Sequence, residues 1–256
     1  MSLPDIAATQ LVGFVLVLCR VGGLFVLGPI FSGRMIPTQA KLIIAGAISF
    51  ALMPLVTAQT KIPTGLDVVP LILKELIVGL AIALGIGVLG AAVQAAASLL
   101  DTMIGFSFAA LIDPVSNAQS AVIGQLYSMF SVLVFLMIGG DRLMIQGLAS
   151  SYRLVPVGAI PSASRLGAMA DADLGQVFVI GLEIAAPVMI ALGLVDIALA
   201  LVARAVPNMN VFFVGVPAKI LVGLGAIAAS LPFVALHLHD QLQQAVVQAL
   251  QAVRIR

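Results

Sequence analysis

Apolar residues in this chain fall in long runs separated by breaks rich in proline and glycine. The runs extend from Ile6 to Phe31, Thr38 to Thr57, Val68 to Leu100, Gln119 to Gly139, Leu143 to Val157, Leu174 to Ala203 and Val211 to Leu236. Runs this long predict helices, because each unpaired peptide group in hydrocarbon costs several kcal/mol and a helix pairs its own. Gly28-Pro29 and Gly33-Arg34 end the first run, Pro37 opens the second, and Pro54 ends or kinks it. Pro63 and Pro70 frame the next turn, Pro156 and Pro161 bracket a loop, and Pro207 marks a hairpin between the last two long runs. The stretch from His237 to Arg256 is amphipathic, with Leu242, Val246, Val247 and Leu250 at helical spacing. The lengths do not suit six plain spans. Val68 to Leu100 makes a helix of ~50 Å against a hydrocarbon core of about 30 Å. Leu174 to Ala203 makes one of about 45 Å, and Leu143 to Val157 is short.

One stretch departs from this pattern. After the third run, Gly105-Phe-Ser-Phe-Ala-Ala-Leu-Ile-Asp113-Pro114 lies between Asp101 and Asn117 with only about ten apolar residues in a row, too few for a span and suited to a re-entrant element. Irregular backbone at membrane depth persists only where protein surrounds it or where it lines a cavity. The sequence therefore predicts a loop folded into a protein-walled space, where a pore constriction would sit. Gly105 supplies backbone freedom. Phe106, Phe108, Leu111 and Ile112 offer an apolar constriction of the dewetting type. Asp113-Pro114 and Asn117 fix the turn back out.

Composition places the chain in the membrane class, with 62% hydrophobic and 9% charged residues where soluble domains carry about 25% charged residues. Formal net charge is +1, and no basic patch suggests nucleic acid. With no tryptophan and 2 tyrosines the aromatic belt is weak, a hint that lipid does not surround the chain in the ordinary way. Lys and Arg are balanced between alternate loops and set no orientation. The first run is longer than a signal-peptide core and lacks a cleavage site, so it is expected to stay in the mature protein. Cys19 has no second cysteine and reads as core filler.

Arg20, Lys74, Glu75, Glu183, Asp196, Arg204 and Lys219 sit in or at the ends of apolar runs. A charge at a helix centre costs about 2.5–3.5 kcal/mol on insertion scales, so such residues face a bundle interior or water. Inter-helix or inter-subunit pairing is the expected role, ahead of a proton or ion relay. Adjacent Lys74 and Glu75 point about 100° apart on a helix and need different partners. Gly85-Ile-Gly87-Val-Leu-Gly90 matches the dinucleotide pattern in letters, but it lies inside a helix-length run with no strand before it. His237 and His239 would need more ligands than Asp240 to hold a metal. With no nucleophile-and-base arrangement, the expectation is a protein that is not an enzyme and takes no cofactor and no metal.

Five blocks of residues resemble the FliR family of flagellar export-gate proteins, whose relatives serve injectisomes. They are Arg20-Val-Gly-Gly-Leu-Phe with Pro29, Ile36-Pro37-Thr-Gln-Ala-Lys41, Lys74-Glu75-Leu-Ile-Val-Gly79, Gly105 through Pro114, and Pro207-Asn-Met-Asn210 through Pro217-Ala-Lys219-Ile. Their wording is closer to the flagellar branch. The resemblance implies an all-α polytopic membrane-type protein forming one export-gate domain. Residues 1–172 would be the FliP-like part, with a plug loop near 105–119, followed by a FliQ-like hairpin over 173–240 and an amphipathic tail over 241–256. It implies a single copy joining several FliP-type and FliQ-type subunits around a pore in the bacterial inner membrane, within the flagellar basal body. FlhB-type switch and FlhA-type export subunits, unfolded export substrates and membrane lipid are the further implied partners. Much of such an assembly stands raised out of the bilayer plane, which would explain over-long helices and few aromatic anchors. The competing expectation, from a different class, is a secondary solute transporter with a broken-helix binding site.

Overall fold

The computed structural model describes residues 3–28, 36–57, 68–105, 122–159 and 161–254, and among them the only regular secondary structure is helix. In chain order the helices are α1 (Leu3–Leu27), α2 (Thr38–Thr57), α3 (Val68–Ile104), α4 (Val122–Met137), α5 (Gly140–Leu154), α6 (Ala163–Ala205) and α7 (Val211–Val253). Five of them are long and apolar enough to cross a membrane, six spans if α4 and α5 form one broken span. At 1.5 Å per residue the 43-residue α6 and α7 are each ~65 Å long, well beyond one hydrocarbon core.

The apolar runs locate the helices, and the differences lie at their ends. α6 begins at Ala163 rather than Leu174, because Ala163 to Asp173 is alanine-rich and helix-prone although too polar to register as an apolar run. The Ser162 carbonyl starts its ladder by accepting from Arg165 and Leu166. α3 continues past Leu100 to Ile104 and stops at Gly105, whose φ of 101° admits glycine readily. α5 starts at Gly140, where left-handed Gly139 (φ 71°) resets the chain direction and its carbonyl accepts from Leu143 at 3.0 Å. α7 runs through Pro217, Pro232 and both histidines without a break, so the amphipathic stretch is its far end. There Leu242, Ala245, Val246, Ala249 and Val253 are buried at helical spacing while Val247 is exposed.

The chain forms two compact units. The first comprises Met1–Leu89, Leu136–Leu174 and Gln241–Arg256, and the second Gly90–Phe135 and Gly175–Asp240. In the first, α1 packs along α2, and α2 meets α5. α1 also crosses α3 at backbone contact. A Cβ on Gly23 would lie 2.6 Å from the Leu80 nitrogen, and one on Gly79 would lie 2.9 Å from the Arg20 Cα. Small residues at such a crossing let two helices approach in an apolar medium, where packing rather than water expulsion drives association. Gly79→Ala is therefore expected to destabilise the chain by about 1–3 kcal/mol through overpacking, read as a lower thermal midpoint in detergent. Gly22→Ala, with open space around its Cβ position, should leave that midpoint nearly unchanged.

In the second unit the buried core draws on α3 (Ala92, Ala96, Leu100, Ile104), α4 (Ile123, Tyr127), α6 (Ile184, Val188) and α7 (Ile227, Val234). The outer faces of its α6 and α7 segments remain apolar. Phe178, Ile190, Leu194, Phe213, Leu221 and Leu236 are each more than half exposed.

Candidate functional site

Two places in the fold concentrate polar groups inside apolar surroundings. The first, in the second unit, joins α3 to α4. Asp101, on the last turn of α3, is 5% exposed. Its Oδ1 accepts from the Ile123 N–H at 3.1 Å and its Oδ2 from the Gly124 N–H at 3.3 Å, while its backbone carbonyl accepts from Gly105 N–H at 3.1 Å. The first N–H groups of a helix have no partner within the helix, and the helix dipole favours an anion there. One carboxylate thus caps α4 and ties it to the end of α3, closing the neck of the segment between them. Phe106, Phe108, Leu111, Ile112, Asp113, Pro114 and Asn117 lie outside the described residues; of the sequence-identified loop only Gly105 is described.

The second place is a clamp in the first unit, built on Arg20 of α1 and Glu75 of α3. Both side chains are fully buried, with Arg20 Nε 2.6 Å from Glu75 Oε2. Arg20 also donates through Nη1 to Ser151 Oγ and through Nη2 to the Val155 carbonyl, each at 3.1 Å. Its guanidinium carbon stands 4.0 Å from the centre of the Tyr152 ring, a cation–π contact in a desolvated setting. Glu75 uses its other oxygen to accept from Gly158 N–H at 3.2 Å. Ser151 passes the chain on by donating to the Leu148 carbonyl at 2.6 Å. One ion pair therefore pins α1, α3, the end of α5 and the turn after it.

The remaining charges divide by position. In the second unit Lys219 Nζ is 2.5 Å from Asp196 Oδ1, a partly exposed pair joining α7 to α6. His237 Nε2 comes within 3.0 Å of Glu183 Oε2 without hydrogen-bond alignment, and the His237 ring stacks on Phe233. Arg204 is exposed near the end of α6, and Lys74 is half-buried. Neither has an ion-pair partner among the described residues. Glu75 turns to Arg20 while its neighbour Lys74 does not, as adjacent helix positions require. The Gly85–Gly90 pattern is helical throughout, inside α3. Among the described residues no group of three or more His, Cys, Asp or Glu side chains gathers to hold a metal.

Tyr152, Ser151 and the Val155 carbonyl were not legible as partners of Arg20, because 131 to 135 residues separate them in sequence. The signal that could have pointed to Tyr152 is scarcity. The chain has 2 tyrosines, and both are buried.

The family described as bacterial export proteins, family 1, matches residues 11–245. The flagellar biosynthetic protein FliR of Bacillus subtilis is 34% identical over 216 residues, covering 82% of each chain. FliR of Escherichia coli is 29% identical over 85% of this chain and 84% of its own. The secretion system apparatus protein SsaT of Salmonella typhimurium is 27% identical over 75% of each. Residues that define the two polar places, from Arg20 through Asp101 to Val155, all lie within the matched span. The chain belongs to the bacterial export proteins, family 1, the FliR family.

Proposed function

We propose that this chain is a core subunit of a flagellar type III protein export gate in the bacterial inner membrane. In this reading it completes a helical assembly with FliP-type and FliQ-type subunits around an export pore, and its 105–119 segment closes that pore at rest. The observation that carries the reading is the closed neck at Asp101, in a chain of this family. A segment that leaves one helix and returns to the next through a capped, buried junction can protrude as a unit without loosening the bundle. The names of relatives support the reading: one is a secretion system apparatus protein and another, from Yersinia pestis, a Yop proteins translocation protein. The long α6 and α7 with uncovered apolar faces and half-exposed ion pairs also suit a subunit covered by other proteins, since charges facing lipid are costly. FlhB-type and FlhA-type subunits and unfolded substrates would act on the finished gate.

The test is co-expression with FliP-type and FliQ-type proteins from the same source, followed by native mass spectrometry of the detergent-purified product. The expected result is a discrete hetero-oligomer holding one copy of this chain. A monomer or homodimer that ignores both partners overturns the reading and favours a secondary transporter.

A further inference from the structure

The far end of α7 belongs to the first unit, and residues of three other helices there are shaped or charged to receive it. Along residues 241–253 the side chains of Leu242, Ala245, Val246, Ala249 and Val253 are buried, while Val247 on the opposite face is 52% exposed. That is the stripe of a helix lying in a groove. Two glycines on different helices form the floor of the groove. A Cβ on Gly85 of α3 would lie 2.9 Å from the Ala249 Cβ, and one on Gly147 of α5 would lie 3.2 Å from Val246 Cγ1. Both distances are closer than side-chain carbons ordinarily pack, so each notch suits glycine with this segment in place. Met169 of α6 closes one side, its Cε 2.8 Å from the same position on Gly85. At the far end Arg165 of α6 donates through Nη1 to the Arg254 carbonyl at 2.8 Å. The last carbonyls of a helix have no partner within it, and a cation suits that negative end. Val246, Ala249, Val253 and Arg254 lie beyond the residues matched by the family, 11–245.

The groove and the Arg20–Glu75 clamp hold the same two helices. Gly85 lies about 15 Å along α3 from Glu75, and Gly147 lies roughly one turn before Ser151 on α5. We propose that residues 241–253 are a strap that seats as one unit on Gly85 and Gly147 and sets the spacing of α3 and α5 on which the clamp depends. Apart from Leu242 the buried side chains of the strap are alanine and valine, each of which removes little apolar area from water. The strap therefore lifts at lower cost than the rest of the unit unfolds, as local openings do. Lifting it frees α5 to move from α3, and the Arg20 bonds to Ser151 Oγ and the Val155 carbonyl weaken with it. The glycines of Gly85-Ile-Gly87-Val-Leu-Gly90 gain a packing reason in place of a nucleotide: Gly85 receives the strap, and a Cβ on Gly87 would lie 3.0 Å from the Leu27 carbonyl oxygen. None of this depends on the export-gate reading.

The experiment is hydrogen–deuterium exchange, read by mass spectrometry, on the purified chain in detergent, alone or in whatever complex it forms. Arg165→Gln removes the exposed fastening at the Arg254 carbonyl and should speed exchange of the 241–253 amides about fivefold, the size of one net hydrogen bond. Ala249→Leu overpacks the Gly85 notch and should speed the same amides about tenfold or more. In both variants the amides from Ser151 to Val155 should quicken too, while the start of α1 exchanges as in the parent. Val247→Leu, on the exposed face, should change nothing. Parent-like exchange of 241–253 in both Arg165→Gln and Ala249→Leu overturns the strap. Faster exchange spread evenly over the whole chain overturns its opening as a unit. Faster exchange of 241–253 with Ser151 to Val155 unchanged overturns its hold on the clamp.

Discussion

Replacing Arg20 by alanine is expected to destabilise the chain more than any other single change outside its glycines and prolines. The substitution leaves the Glu75 carboxylate fully buried with the Gly158 N–H as its remaining described partner. Breaking a buried pair by removing one member costs about 3–5 kcal/mol, because an uncompensated charge stays behind. That is a large part of the ~5–15 kcal/mol that holds a typical domain together. The loss also frees the Val155 carbonyl and Ser151 Oγ and removes the cation from the Tyr152 ring, so the turn after α5 loses its anchor to α1. Steady-state level and thermal midpoint in detergent report the effect. The sharper measurement is a double-mutant cycle. Arg20→Leu with Glu75→Leu removes both charges together and should be less destabilised than either single replacement. If Arg20→Ala is as stable as the parent, or the double variant is worse than the sum of the singles, the pair is not what holds these helices.

The clamp also explains why the two signature blocks stand where they do. Arg20 and Gly23 are three positions apart on α1, and Glu75 and Gly79 four apart on α3, so each charge and its glycine share a helix face. The glycines let the backbones touch, and the charges lock the register of that contact. Neither job is complete alone: close approach without the pair could slide, and the pair without close approach would not be dry.

Much of this was readable from the sequence because apolar runs in a membrane-type chain have one structural solution. The runs at Thr38 to Thr57 and from Val68 onward start where the helices do. What hydrophobicity does not carry is where a polar helix begins, and so the first turns of α6 before Leu174 were missed. Nor does it carry pairing. That Arg20 belonged in a bundle interior followed from cost, but Glu75, Ser151 and Val155 as its partners are facts of tertiary contact between distant residues. The same limit applies to Asp101. In the sequence it is only the polar boundary of a short apolar element. Its role as the cap of the following helix depends on α4 returning to within hydrogen-bonding distance of it.

That role gives the second large expected effect. Asp101→Ala removes two charge-assisted acceptors from the N-terminus of α4 and leaves the Ile123 and Gly124 N–H groups without their capping partner in a buried setting. Bonds of this kind contribute about 1.5–3 kcal/mol each, and a lost helix-dipole interaction adds roughly 0.3–1 kcal/mol. The strain falls on the neck, because α3 and the rest of α4 keep their own buried faces. The expected phenotype is therefore a complex that still assembles but seals poorly. In cells making the complete gate, resting ion leakage should rise with Asp101→Ala. On the proposed function, in which Phe106 to Ile112 close the pore, it should rise further when those residues are deleted. Asp101→Asn should fall between parent and alanine, because its amide oxygen keeps one acceptor but not the charge. Three outcomes are informative. Leakage that follows this order supports a gate whose closure depends on its neck. Leakage from the deletion alone would leave Asp101 as an ordinary helix cap. No leakage from either, in complexes shown to assemble, would mean that this segment does not seal the pore and that the barrier to ions lies on another subunit.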